Sequence, residues 1–510
     1  MLNLENALEL NDFYRILFEN EKIELGNKAL NRLEESFNFL KDFSRNKIIY
    51  GVNTGFGPMA QYKIDDENKI NLQLNLIRSH STGAGPLMEP LYVKALMVAR
   101  LNTLCLGKSG IHKSIANTLI QLINHDVTPV IFEHGGVGAS GDLVQLAHLA
   151  LVLIGEGEVI YKGERRITKE VFNELKITPS EIKIREGLAV MNGTSAMTGI
   201  GIVNLIYSKR ALSWAVYCSS VINEVVEAYD DHLSEELNSS KLHPGQQKIA
   251  REMRNHLSDS RLTRDRNDHL YTNDADKNSF FKEKVQEYYS LRCVPQILGP
   301  VSDTIENSLK ILIEEVNSAN DNPIIDVETE HVYHGGNFHG DYVSLEMDKL
   351  RLVITKTSML AERQLNYLLN SKLNDILPPF VNLGKLGLNF GMQGAQFTAV
   401  STTAENQMLS NSMYVHSIPN NNDNQDIVSM GANSANMTKK VIDNCFEVLA
   451  TELATIIQTL YYLQFDDKLS SATKRKLGKL RAIIPPVKED RPLYKEIEKL
   501  KDYLRNNEAY

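Results

Sequence analysis

The sequence predicts a mainly α-helical protein built on a large bundle of long helices, with a smaller N-terminal region before it. Three observations predict this. Proline is only 15 and glycine only 30 of 510 residues, so obligatory helix breakers are few. Two long stretches carry apolar residues at steps of three and four, the stripe of an amphipathic helix. The glycines cluster instead in a few places, Gly51 to Gly57, Gly83 to Gly85, Gly135 to Gly141, Gly335 to Gly340 and Gly384 to Gly394.

At about 100–200 residues per domain the length alone would suggest about three domains. The long stripes argue instead for one continuous bundle, shared between subunits, because helices of this length cannot bury their stripes in separate small domains. The expected division is an N-terminal region over 1–200 and the bundle with a C-terminal helical tail over 201–510.

The elements follow in order. The start, Met1-Leu2-Asn3-Leu4-Glu5-Asn6, has no basic segment leading into an apolar one, so no signal peptide is expected. A helix is expected from about Asp142, with Ser140 or Asp142 near its cap. Its apolar run, Leu146 to Ile154, is interrupted by His148 and falls far short of the roughly 20 residues that span a bilayer. Residues 212–237 lack Gly and Pro and are expected to be helical. The charged stretch 234–284 predicts surface helix and loop, as does the tail from Asp467 to Tyr510. Ser302-Asp303-Thr304 followed by Glu306 looks like a helix start, with Ile305, Leu309, Leu312, Ile313 and Val316 as its apolar face. The first long stripe, from about Asp341 to Asn370, is Val343, Met347, Leu350, Ile354, Thr357, Ala361, Leu365 and Leu368. The second, from about Met437 to Leu463, is Ile442, Cys445, Leu449, Leu453, Ile456, Leu460 and Leu463.

Charge and cysteines narrow the function. The net charge of −9 leaves no excess of Lys and Arg for neutralising phosphates, so a general nucleic-acid binder is disfavoured. Cys105, Cys218, Cys293 and Cys445 are scattered, with no CxxC pair for zinc or redox chemistry. A soluble cytoplasmic protein with reduced thiols is expected.

Pro129 to Leu143 is the most informative segment. It contains Gly136-x-Gly138-x-x-Gly141, with Glu156 at the distance of a ribose contact. That is the bare dinucleotide fingerprint, but the fingerprint needs a full strand and a βαβ unit around it, and the chain on both sides is helical. A serine-hydrolase elbow fails, because Gly141 directly follows Ser140. A turn into a helix is the plain alternative. Ala139-Ser140-Gly141 admits one further chemistry. An unhindered glycine nitrogen can attack the carbonyl two residues back. Loss of that water and then of the serine hydroxyl gives an electrophilic methylidene-imidazolone ring.

Three other motifs stand out. Tyr50 lies in the glycine-lined loop Tyr50 to Pro58 and could be a general base or a loop anchor. A tyrosine serves as a base at neutral pH only if its pKa falls from the ordinary value of about 10. Tyr289 and Arg292 are three apart and share a helical face, and arginine's planar fork matches a carboxylate. His331, His334 and His339 fit no familiar metal spacing.

Together these segments resemble the aromatic amino acid ammonia-lyases, the family of histidine, phenylalanine and tyrosine ammonia-lyases. The resemblance runs in the family's order through Tyr50 to Gly57, Asn75 to Gly83, Gly135 to Leu143, Met191-Asn192-Gly193-Thr194, Gln286 to Gln296, Asp321-Asn322-Pro323, Gly335 to His339 and Asn424 to Gly431. It implies a mainly helical fold of fumarase/aspartase-like architecture, with the active-site loops in the N-terminal region, and a homotetramer. The Ser-Ser-x-Met-Pro loop of the fumarases and aspartases themselves is absent. It implies that Ala139, Ser140 and Gly141 cyclise autocatalytically to the 4-methylidene-imidazol-5-one (MIO) group, with no metal and no nucleotide. It places Asn192 against that group, makes Tyr50 the base that takes a β-proton and puts Tyr289 in the site. Arg292 and Asn322 would hold the substrate carboxylate, and Gln286 and Phe338 would line the pocket.

Two positions bear on the substrate. Ser79-His80 matches the dipeptide of histidine ammonia-lyases. Those enzymes carry Gln-Glu-Asp where this chain has Asn424-Gln425-Asp426, and a neutral Gln425 loses the charge-assisted bond to an imidazole N–H. His80 can serve a phenol hydroxyl. The chain most resembles bacterial tyrosine ammonia-lyases with the same Ser-His pair. L-Tyrosine is therefore the expected substrate, giving trans-4-coumarate and ammonia, ahead of L-histidine, giving urocanate, with phenylalanine third. A tyrosine aminomutase would use the same motifs.

Overall fold

The computed structural model describes residues 1–271 and 284–510. The remaining part of the charged stretch 234–284 lies outside the described residues. The chain is mainly helical, and its short strands form sheets of two or three. Its longest helices are Ser195–Val225, Val294–Val316, Asp341–Leu369 and Gly431–Leu463.

The periodic stripes have the burial their spacing implies. Every stripe residue of Asp341–Leu369 from Val343 to Leu368 is buried. In Gly431–Leu463 all are buried except the last, Leu463, and Val441, Phe446, Val448 and Ala454 are buried beside them. That helix is enclosed on several sides, as expected of one inside a core.

Two expected boundaries move. The helix expected from Ser302 begins at Val294 and carries Pro300 inside it. A proline costs a helix one backbone hydrogen bond, so the sequence around it imitates a start. The helix expected over 212–237 ends at Val225 and begins at Ser195. Gly199 lies inside it because a Cβ there would stand 2.4 Å from the Leu96 nitrogen. Glycine lets this helix close on Pro90–Cys105, which is buried from Tyr92 to Cys105. Left-handed Glu227 then ends the helix, with Ala228 N–H donating to Asn223 O at 3.0 Å.

The chain forms two compact units, and four of the boundaries between them fall inside the long helices. The first comprises Met1–Ile206, Ser308–Asp348 and Ser412–Lys439. Its shorter helices include Lys69–His80, Leu143–Leu153 and Glu186–Met191. Strand Ala84–Leu87 pairs antiparallel with Phe132–His134, and the hairpin Glu158–Tyr161 and Glu164–Ile167 turns on left-handed Lys162 and Gly163. The second unit comprises Tyr207–Asn307, Lys349–Asn411 and Lys440–Tyr510. There Trp214 is fully buried and donates from Nε1 to Asn507 O at 2.9 Å, fastening the C-terminal tail with its helices Ser471–Ile483 and Tyr494–Asn506.

Candidate active site

A cavity of about 610 Å³ in the first unit is lined by Tyr50, His80, Ser140, Asn192, Asn322, Phe338 and Gln425. These come from seven separated segments of the sequence, so the fold brings together what the motifs kept apart.

The loop leading to Ser140 is pinned by its own backbone. Val137 O accepts from Met430 N–H at 3.0 Å, and Gly138 O accepts from Gly340 N–H and Ser429 Oγ, both at 3.0 Å. Gly141 has φ +72°, and a Cβ there would stand 2.1 Å from Gly193 O. Only glycine fits that bend. Ala139 is buried beneath it. Asp142 comes next, and its N–H donates to Gly193 O at 2.8 Å. Its side chain does not cap its own helix, Leu143–Leu153, but accepts from Met197 N–H at 2.8 Å in the first turn of Ser195–Val225. Burial pushes the Asp142 carboxyl up to about 7, opposed by the Met197 and Ala196 N–H groups.

Ser140 is held at both oxygens. Asn192, just past the helix Glu186–Met191, donates from Nδ2 to Ser140 O at 2.9 Å. Gln425 donates from Nε2 to Ser140 Oγ at 2.9 Å. The side-chain oxygen of Asn192, Oδ1, is buried and has no hydrogen-bond partner among the described residues.

Tyr50 Oη accepts from Gly57 N–H at 3.0 Å, and its ring meets Phe56 edge-on at 6.2 Å. Fully buried Gln73 donates to Gly51 O and accepts from Leu188 N–H, both at 2.9 Å. It ties the Tyr50 loop to the helix that ends beside Asn192. His80 closes Lys69–His80, with Nδ1 3.0 Å from Leu76 O. Nδ1 lies equally close, 3.0 Å, to Ser79 Oγ. A carbonyl only accepts, so the tautomer with the proton on Nδ1 satisfies the Leu76 contact, and in a neutral ring that tautomer has Nε2 as an acceptor. Asn322 Oδ1 accepts from Gly335 N–H at 2.8 Å, which leaves its Nδ2 as a donor.

Gln286, Tyr289 and Arg292 belong to the second unit. Tyr289 opens the short helix Tyr289–Arg292 and is 71% exposed. The Arg292 guanidinium lies 4.5 Å from the centre of its ring, the shared face expected at that spacing. Gln364 holds this helix by donating to Ser290 O at 2.8 Å. Gln286 is exposed.

Other sequence candidates meet different partners. Glu156 forms a two-pronged pair with Arg78, and the strand before the glycine loop is only Phe132–His134. His339 pairs with Asp341 at 3.3 Å, and among the described residues no group of three or more His, Cys, Asp or Glu could hold a metal. Sequence reasoning missed Asn421 and Asn422, which extend the wall beyond Asn424. Asn421, Asn422 and Asp423 are all left-handed, a conformation Asn and Asp tolerate better than other side chains. The asparagine run itself was the available signal. Arg100, Arg185 and Gln73 gave none.

The aromatic amino acid lyase family model matches residues 8–482. A probable histidine ammonia-lyase of Thermoplasma volcanium is 37% identical over 502 residues, covering 98% of this chain and 97% of its own. An MIO-dependent tyrosine 2,3-aminomutase of Streptomyces globisporus is 37% identical over 504 residues, covering 97% of this chain and 93% of its own. A crystal structure of tyrosine aminomutase from the same organism matches with a TM-score of 0.95 at 34% identity, over 99% of this chain and 96% of that one. The chain belongs to the aromatic amino acid lyase family.

Proposed function

We propose that this protein is a cytoplasmic, homotetrameric ammonia-lyase that converts L-tyrosine to trans-4-coumarate and ammonia, using an MIO group formed autocatalytically from Ala139, Ser140 and Gly141. The residues present fit that group. Cyclisation joins Gly141 N to the Ala139 carbonyl carbon, which asks for a small residue before Ser140 and a bend only glycine makes, and both are there. Ser140 O would stay on the ring as a carbonyl, and Asn192 already donates to it. When formed, the group supplies an electrophilic carbon that takes the amine, otherwise a poor leaving group.

The chain's own residues supply the rest. Tyr50 Oη takes a β-proton, and the Gly57 N–H suits an oxygen that carries negative charge. Asn322 Nδ2 holds the carboxylate and Phe338 lines the pocket, and the family resemblance is what assigns the Arg292 fork to the carboxylate and Gln286 and Tyr289 to the pocket lining. The outward apolar residues Phe397, Val400 and Met408 on the helix Gln393–Leu409 support an assembled state.

Gln425 carries the substrate reading. It is a neutral amide whose nitrogen is engaged by Ser140 Oγ, so it brings no charge to an imidazole. His80 Nε2 is left as an acceptor for a phenol O–H. Two specific observations favour other outcomes. The tyrosine 2,3-aminomutase relative favours return of the amine to the β-carbon, and the histidine ammonia-lyase relative together with Ser79-His80 favours histidine.

Parallel incubation with L-tyrosine, L-histidine and L-phenylalanine, followed by product separation, tests the proposal. Coumarate should form fastest. Urocanate forming faster would assign histidine, β-tyrosine as main product would assign the mutase, and no product from any substrate would refute the reading.

A further inference from the structure

We propose that two buried arginines are positioning residues for this site, Arg100 setting Asn192 and Arg185 setting Asn322. The inference rests on the lyase reading of the cavity and goes beyond the residues that the resemblance assigns.

Both side chains are fully buried. A buried guanidinium is costly unless its directions are satisfied, and apolar side chains would fill the same space more cheaply. What these two arginines hold is therefore informative. Arg185 meets Asp321 with two bonds of 3.0 Å and donates to Ser109 O at 2.6 Å and Asn322 O at 2.9 Å. Asp321 Oδ1 also accepts from Asn322 N–H at 2.6 Å. One ion pair thus fixes both backbone groups of Asn322, while Gly335 N–H fixes its side-chain oxygen.

Arg100 forms no ion pair among the described residues. Its bonds go to amide oxygens: Nη2 to Ala189 O and, at 2.8 Å, Asn192 O, and Nη1 to Asn320 Oδ1 at 3.1 Å. Ala189 and Asn192 lie at the C-terminal end of Glu186–Met191, where carbonyls lack helical partners and the helix dipole favours a cation. Arg100 therefore fixes the backbone from which the Asn192 amide reaches Ser140 O.

The two assignments differ in kinetic signature. Charge grows at the Ser140 oxygen only as the amine adds, so a misplaced Asn192 costs kcat. A misplaced Asn322 weakens carboxylate binding in the ground and transition states alike and raises KM. Lysine keeps the charge but lacks the planar fork.

The test uses full-length Arg100→Lys and Arg185→Lys beside the unaltered protein. Intact mass gives the fraction of chains lighter by two waters, and kcat per lighter chain and KM follow for whichever amino acid the unaltered protein turns over. Arg100→Lys should lower kcat per lighter chain by about tenfold or more, with KM within about twofold. Arg185→Lys should raise KM by about tenfold or more, with kcat within about twofold. If a lysine variant does not fold, Asn320→Ala or Asp321→Asn takes its place, with the same parameter moving by about threefold or more. Wild-type kcat per lighter chain and KM in the variants, with only the yield reduced, would overturn the inference, as would both variants moving the same parameter. An unaltered protein at full mass would instead sink the lyase reading itself.

Discussion

Ser140 is gripped at its carbonyl by Asn192 and at its hydroxyl by Gln425, so the tripeptide proposed to cyclise is oriented before any chemistry begins. In the proposed reaction Tyr50 acts later, on the substrate, which separates its role from that of Ser140. Tyr50→Phe should therefore lose about 10²–10⁴-fold in kcat while the chain still becomes lighter by two waters, as rate assays and intact mass together would show. Activity within threefold of the parent would give the base role to another residue. Tyr50 and Ser140 stand out in the sequence because each lies in a short run with a chemical reason for its composition, whereas Asn192 was singled out by the family resemblance alone. The residues that hold them were not. Arg185 meets Asp321 from 136 positions away and Arg100 meets Asn320 from 220, and no local pattern announces a partner at that range.

Helices follow the same division. The stripes of Asp341–Leu369 and Gly431–Leu463 were visible because burial at steps of three and four leaves a period in the sequence. The ends of Ser195–Val225 and Val294–Val316 were not, because Gly199 and Pro300 are tolerated inside helices for reasons of packing and context that composition does not carry. Gly431–Leu463 also holds a group its stripe conceals. Glu452 is fully buried, and neither carboxylate oxygen has a hydrogen-bond partner among the described residues. Burial raises its pKa well above the usual value of 4.5. The folded chain therefore keeps a proton that the unfolded chain releases. The associated stability is full below the unfolded value and is lost as pH rises toward the folded one, with a slope of up to about 1.4 kcal/mol per pH unit. Glu452→Gln has no such proton. In thermal melts from pH 5 to pH 8 the Tm of the variant should gain progressively on the parent, whereas a gap that stays constant would mean the carboxylate is ionised and partnered when folded.

At the scale of the whole molecule, two compact units are threaded by a few long helices, and the cavity of the first collects loops from distant parts of the chain. Family membership rests on the family model matched over residues 8–482, and the fold on a solved structure matched over 99% of the chain. The central claim is that this scaffold exists to build and hold an electrophile from Ala139, Ser140 and Gly141. Intact mass of the purified native chain, with peptide mapping across 139–141, tests it most directly. The account predicts a chain lighter than its sequence by two waters, the loss confined to that peptide and absent in full from Ser140→Ala. A native chain at its full sequence mass would contradict it.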